Sequence, residues 1–429
     1  MTALKRKATK FADADGSTRW KLINKAIIYY AMMVVGPLAV VLIRLVKPLI
    51  EIRVGWLMYL RMGDLSGNSE YYLRALDPAR DPRRVLRIFV GGSISGAPAN
   101  SQLFNMVKRE IQARGIPFFE HPFMEQLGIY IVMKYPEFRE KMPFFYHRTN
   151  KTPIKGDDFE KWNECQPQLQ FNGEEEMRGK AILKEMGIAE NEQFVCFFNR
   201  SQAYLNNAHD YRTPEDWVYH DYRNCSIENY MSAADFLATE GMFALRTGYI
   251  VDNKLLASRD DKIIDYASDH RSDFGDVYLH ARCAFIIGCE TGNLHTAEIF
   301  NVPVAEANVI PLTALPLGNR SVFIPKKFWD IERKRFWTFR EIFDNDMDTA
   351  CLAEDYKRAG IELIENSADE ILELAREMTL RVKGEWQVSE EDEELQNRFR
   401  SLYKPQHICY GFLARIGTEF LRQNRDLLD

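Results

Sequence analysis

Apolar residues along this chain come in short runs. Each run is closed by a polar turn and followed by a stretch with helical spacing. The clearest case is 283–304. Apolar residues 284–287 lead into Gly288-Cys289-Glu290-Thr291-Gly292-Asn293, an amphipathic stretch carrying His295 follows, and Val302-Pro303-Val304 comes next. That order predicts strand, tight turn, helix and a further strand. Glycines permit close approach at such a turn, and the N–H groups that open a helix attract anions such as a sugar nucleotide diphosphate. Any α/β unit also has a strand, a glycine turn and a helix, so this window alone leaves phosphate binding and plain packing both open.

The same alternation recurs. Strands are expected over 54–60 and 85–90, with the polar loop 61–68 between them and a helix over 69–76. A helix over 100–114 is capped by Gly115, with Pro117 beyond. Residues 147–158 read as a loop, 174–186 as a helix stopped by Gly187, and 188–193 as a linker. A second series follows: strands over 194–198, 242–245 and 263–264, and helices over 226–240 and 272–281. Alternating strands and helices predict parallel sheets covered by helices. The expected architecture is α/β, with two parallel-sheet domains, 54–187 and 188–345, facing a cleft. A helical, charged segment is expected over 346–429, its acidic run 390–394 a solvated helix face or loop.

Residues 1–53 stand apart. Lys5, Arg6, Lys7, Lys10, Arg19, Lys21 and Lys25 precede the uncharged apolar run 26–43, and Arg44, Lys47 and Arg53 follow it. The run is at the short end of what spans a bilayer. No small-residue cleavage site follows, which argues against a removable signal peptide. Basic residues favour the cytoplasmic face, and Gly36-Pro37 is expected to break the helix. A segment that dips into the inner leaflet, with both ends cytoplasmic, is the reading adopted; a buried core helix is the alternative.

Composition narrows the function. The 429 residues, 46% of them hydrophobic, suffice for two or three domains. A net charge of −6 argues against a nucleic-acid-coating protein. Seven scattered cysteines with no CxxC pair indicate a reducing compartment, with neither zinc nor a disulfide framework.

Ligands in such sheets bind outside the carboxyl ends of the strands. That rule selects Arg200, Arg246 and Gly248 after expected strands, with the turn Glu290, Thr291, Gly292 and Asn293. Arginine forks match phosphate oxygens. Arg223 and Asn224, just before a helix start, are candidates to join them. His295 reads either as a phosphate or ribose contact or as a packed histidine, and Glu290 as an acceptor for sugar hydroxyls. Asp64, in the glycine-bracketed loop after the first strand, reads either as a general base or as a turn and N-cap residue. GxxxxGK[ST], GxSxG, HExxH and a complete GxGxxG after the first strand are all missing from the sequence.

Segments 197–205, 222–248 and 263–288, the glycine turn and 414–424 resemble a family of bacterial glycosyltransferases encoded in surface-polysaccharide gene clusters. A more distant similarity is to the lipopolysaccharide heptosyltransferases. It rests on Gly63-Asp64 and on Glu290-Thr291-Gly292-Asn293-Leu294-His295, where Glu290 replaces the usual aspartate. In the first family histidine often stands at the position of Asp64. The resemblance implies a GT-B-like fold, with an acceptor-side domain over 54–187 and a nucleotide-sugar domain over 188–345. The heptosyltransferase similarity implies a role for Asp64 at the reacting centre, read here as catalytic base, and places Glu290, Thr291, Gly292, Asn293 and His295 around the donor; the strand-end reading adds Arg200, Arg223, Asn224, Arg246 and Gly248 to the donor site. The resemblance also implies a reaction that needs no metal and no cofactor beyond the nucleotide diphosphate sugar.

Overall fold

The computed structural model describes residues 16–77, 79, 81, 84–94, 96–140, 156–203, 214–255 and 260–429. The chain forms two compact units, one within Met1–Leu65 and Ala75–Pro143, the other within Ser66–Arg74 and Phe144–Asp429. Both are α/β with parallel sheets, the class expected from the sequence.

In the first unit, β1 (Glu51–Trp56), β2 (Val85–Val90) and β3 (Phe118–Phe119) pair in parallel in that order. The helix Ser101–Ala113 starts where Asn100 accepts the Leu103 N–H at 2.9 Å. It ends at Arg114, before Gly115 turns left-handed at φ +72°. Glu125, fully buried, accepts the backbone N–H groups of Ser93 and Ile94 at 2.6 and 3.1 Å and the Tyr59 hydroxyl at 2.9 Å. One carboxylate thereby fixes the turn after β2.

The N-terminal helix, Gly16–Val46, is continuous through Pro37, contrary to the expected break. A proline inside a helix removes one hydrogen bond and crowds the preceding turn. Packing offsets that cost. Met32, Val40 and Ile43 are buried, and Val40 and Ile43 join Val54, Ile131, Val132 and Phe138 in one apolar cluster. Gly36 lies against the Tyr130 ring, where a Cβ would come within 2.4 Å. The opposite face exposes Ile27, Val34, Leu38, Val41 and Leu45. Within this helix Ala26–Val46 is long and apolar enough to cross a membrane by length and composition. Of the basic prefix, Lys5, Arg6, Lys7 and Lys10 lie outside the described residues, as does most of the loop expected over 147–158.

The second unit holds β4 (Phe194–Phe197), β5 (Phe243–Arg246), β6 (Ile263–Ile264), β7 (Ile286–Gly288), β8 (Val304–Val309) and β9 (Val322–Pro325). β10 (Lys327–Asp330), β11 (Arg335–Phe336) and β12 (Ile361–Ile364) form a small antiparallel sheet. With β13 (Arg415–Ile416), the main sheet is seven-stranded and parallel, in the order β13-β9-β8-β7-β4-β5-β6. β4, β5, β7, β8 and β9 are buried along their whole length, and β4, β7 and β9 accordingly carry no charged or polar side chain, while β5 ends in Arg246 and β8 holds Glu306 and Asn308. From β4 the chain winds out through β5 and β6, then crosses to β7 on the other side of β4. The sheet's topological switch point therefore lies between β4 and β7.

The units depart from the expected boundaries in three places. Ser66–Arg74 belongs to the second unit. There Glu70 accepts the Gln168 and Leu169 N–H groups and pairs with Arg74 at 2.8 Å. Arg74 in turn donates to the carbonyls of Trp162 and Ile299 and stacks over the Trp162 ring. The division of the chain falls at 143 rather than 187. Residues 346–429 are likewise not a separate segment, since β13 extends the main sheet and the helix Ala368–Lys383 packs on it. The acidic run opens the helix Glu390–Arg400, capped by Ser389, and its Asp392 is buried and paired with Arg422 at 2.8 Å rather than solvated.

Candidate functional site

Residues that follow β4 and β7 flank the switch point. Arg200 comes three residues after β4, and Glu290 two residues after β7. Gly288 closes β7 beneath the Phe198 ring, where a Cβ would lie 2.3 Å from Cζ. The close approach that the glycine permits is thus to a side chain.

The segment 223–225 crosses this edge and knits it together. The Cys225 N–H donates to the Arg200 carbonyl at 3.0 Å, and Asn199 Nδ2 donates to the Cys225 carbonyl at 2.9 Å. Arg223 Nη2 donates to the Glu290 carbonyl at 2.8 Å and forms an ion pair with the Glu290 carboxylate. Sequence-predicted Arg200, Arg223, Asn224 and Glu290 are therefore brought together.

Arg200 is the uncompensated member. Among the described residues its guanidinium has no ion-pair partner, and its Nε is buried without a hydrogen bond. Burial and the neighbouring Arg223 charge pull its pKa down to about 10, against the attraction of Glu290. It stays protonated at neutral pH. Glu290 answers one of the two guanidiniums and leaves the other without a partner carboxylate, an arrangement that favours an added anion.

Other expected residues have different company. Arg246 is buried in the core at 2% exposure, donating to the Asn253 carbonyl at 2.6 Å and to Asp265 at 3.4 Å. It is committed to an ion pair and to the loop after β5, where a phosphate fork was expected. Gly248, at φ +154°, turns that loop and lies 3.0 Å, from an added Cβ, to Val251. Thr291 is the N-cap of the helix Gly292–Glu298, with no side-chain capping bond and a buried hydroxyl. Gly292 and Asn293 open that helix, where N–H groups lack intrahelical acceptors. His295 contacts Glu298 at 2.9 Å through Nδ1, and Glu298 also accepts the Leu317 N–H at 2.8 Å, so the ring is tied into the core. Asp64, half-buried, opens the π-helical turn Asp64–Asn68 where the chain passes from the first unit into the second. Such turns are rare and concentrate at functional sites.

Sequence reasoning missed Lys326. It directly follows β9, is 4% exposed, and donates from Nζ to the Asn224 carbonyl at 2.6 Å. Burial holds its pKa below the usual lysine value, with Cys225 and Glu365 opposing. The strand-end rule that selected Arg200 also selects Lys326. Also missed is the pair Cys225 and Cys289, whose Sγ atoms lie 3.5 Å apart in hydrogen-bond contact.

No family model and no curated protein matches the chain. Among solved structures it is similar to the glycosyl transferase family 9 protein from Veillonella parvula DSM 2008, with a TM-score of 0.43 and 14% identity, over 77% of this chain and 98% of that one. It is also similar to E. coli ADP-heptose lps heptosyltransferase II, with a TM-score of 0.35 and 14% identity, over 64% and 90% of the two chains.

Proposed function

We propose that this protein is a glycosyltransferase that moves a sugar from a nucleotide diphosphate sugar to a glycan or glycolipid acceptor in surface-polysaccharide synthesis. The supporting observation is a partly buried guanidinium, Arg200, that has no ion-pair partner among the described residues and lies at the switch point of a doubly wound sheet. In this reading Arg200 and Arg223 neutralise the diphosphate, and Asn224, Thr291, Gly292 and Asn293 supply polar contacts beside it. Glu290 orients Arg223 and offers its remaining acceptor capacity to ribose or sugar hydroxyls. Asp64 serves as the base that deprotonates the acceptor hydroxyl. No metal ion or further cofactor is assigned a part.

The proposed workplace is the cytoplasmic face of the inner membrane, where nucleotide sugars and lipid-linked acceptors meet. The exposed apolar face of Gly16–Val46 and the basic residues around it support that placement.

Product analysis tests the assignment. The purified protein is incubated with a panel of nucleotide sugars, with and without glycolipid acceptors. Acceptor-dependent sugar transfer supports a transferase, and Asp64→Asn then lowers turnover about a hundredfold or more while leaving donor affinity unchanged. Donor converted to an epimer without acceptor identifies a sugar-nucleotide 2-epimerase. Binding without turnover identifies a catalytically silent scaffold.

A further inference from the structure

Cys225 and Cys289 are a closely placed pair of thiols. Their Sγ atoms are 3.5 Å apart and both residues are at least nine-tenths buried. They come from opposite sides of the switch point, Cys289 directly after β7 and Cys225 on the segment that crosses its edge. Each is one link from the anion site. Cys225 bonds through its backbone to Arg200 and Asn199 and lies two residues after Arg223, and Cys289 precedes Glu290.

The surroundings prepare one thiol for attack. The Tyr230 hydroxyl lies 3.6 Å from Cys225 Sγ, and the buried Lys326 ammonium is bound to the adjacent peptide carbonyl. When Cys225 ionises, Cys289 donates to it. That hydrogen bond, with the Arg200 backbone contact, Tyr230 and Lys326, brings the Cys225 pKa to about 7 against the opposing effect of burial. Burial pushes Cys289 well above the usual thiol range. A thiol whose pKa is lowered, 3.5 Å from a neighbour whose pKa is raised, is the pairing of an attacking and a resolving cysteine.

We propose that Cys225 and Cys289 are a redox modification site, oxidised by hydrogen peroxide to a disulfide that shuts the anion site. The Cys225 thiolate attacks a peroxide oxygen, the O–O bond breaks, and hydroxide leaves, giving a sulfenic acid at Cys225. Cys289 Sγ then attacks that sulfur. The S–O bond breaks, the Cys289 proton leaves with the oxygen as water, and the S–S bond forms. Overall two thiols lose two electrons and two protons to one peroxide, which becomes two waters. Closing the sulfurs from 3.5 Å to about 2.05 Å draws 223–225 and 289–290 together, displacing the two segments that carry Arg223 and Glu290. The occurrence of the disulfide is independent of the function proposed above; its effect on nucleotide binding rests on that reading.

The test is hydrogen peroxide treatment of the full-length protein, peptide mapping without reductant, and nucleoside diphosphate titration before and after. The expected result is a peptide linking Cys225 to Cys289, lighter by two hydrogens and missing in Cys289→Ser. Affinity should weaken about tenfold or more and recover with dithiothreitol. Absence of the linked peptide while the partly exposed Cys165 and Cys351 oxidise overturns the site. A linked protein that binds nucleotide as tightly as the reduced one overturns the gating. If the reduced protein binds no nucleoside diphosphate, the nucleotide reading fails and gating with it, while the map still decides whether the disulfide forms.

Discussion

Arg223 grips Glu290 twice, donating from Nη2 to its backbone carbonyl at 2.8 Å and pairing with its carboxylate. Both side chains are largely buried, at 14% and 8% exposure. The contact joins the crossing segment to the turn after β7. Removing one partner of such a pair costs roughly 3 kcal/mol, because the other charge stays buried alone. Arg223→Met should therefore lower the melting temperature and weaken nucleoside diphosphate binding. The double variant Arg223→Met/Glu290→Gln should recover much of the stability without recovering the binding. Thermal melts paired with titration calorimetry separate the two effects, and recovery of both would remove Arg223 from the site.

Arg246 is expected to behave differently. Its bonds run to Asp265 and the Asn253 carbonyl inside the core. Arg246→Met should destabilise the fold by a few kcal/mol, and the molecules that remain folded should keep their nucleotide affinity. A stable variant with lost affinity would return Arg246 to the anion site.

Much of this layout is legible in the sequence because helix ends are local chemistry. Asn100, Ser226 and Ser272 cap the helical segments expected after them, and Gly115, Gly187 and Gly241 follow helix ends with positive φ. The strand-end rule finds Arg200 and Glu290 for the same reason. Tertiary partners are not legible. Nothing near Arg246 announces Asp265, nineteen residues on. Pro37 reads as a break because the compensating Gly36–Tyr130 packing comes from a distant helix. β13 is two residues long, too short for any periodicity, so the C-terminal region reads as purely helical.

The N-terminal helix presents two separable faces. Replacing exposed Val34, Leu38, Val41 and Leu45 with glutamine should release the protein from vesicles containing anionic lipid, with little change in melting temperature. Val40→Gln, on the buried face, should instead lower the melting temperature. Unchanged vesicle binding by the fourfold variant, measured by co-sedimentation, would count against membrane docking through this face. Cutting at residue 53 is a poorer test, because it removes half of β1 and uncovers Val54.

A pH dependence follows from His280, buried at 1% exposure with Nε2 3.1 Å from the Thr247 hydroxyl. Burial drops its pKa from 6.5 to about 3. The unfolded chain binds the proton first, so this contribution to stability is complete above pH 6.5 and is lost as pH falls toward 3. Buried Asp276, raised to about 6, acts in the opposite sense between 3.8 and 6. The comparison with His280→Gln isolates the histidine: between pH 7 and 4.5 the wild type should lose more melting temperature than the variant. Parallel losses would contradict a buried neutral His280.

The role of Arg200 in holding a diphosphate is tested most directly by titration calorimetry with UDP, GDP, ADP and CDP. The wild type should bind at least one of them. Arg200→Ala should weaken that binding by about 1.5–3 kcal/mol, roughly tenfold to a hundredfold. Its melting temperature should change little, because among the described residues the side chain makes no ion pair, and its attraction to Glu290 is set against its repulsion from Arg223. A wild type that binds none of the four, or an Arg200→Ala variant that binds as tightly as the wild type, would contradict it.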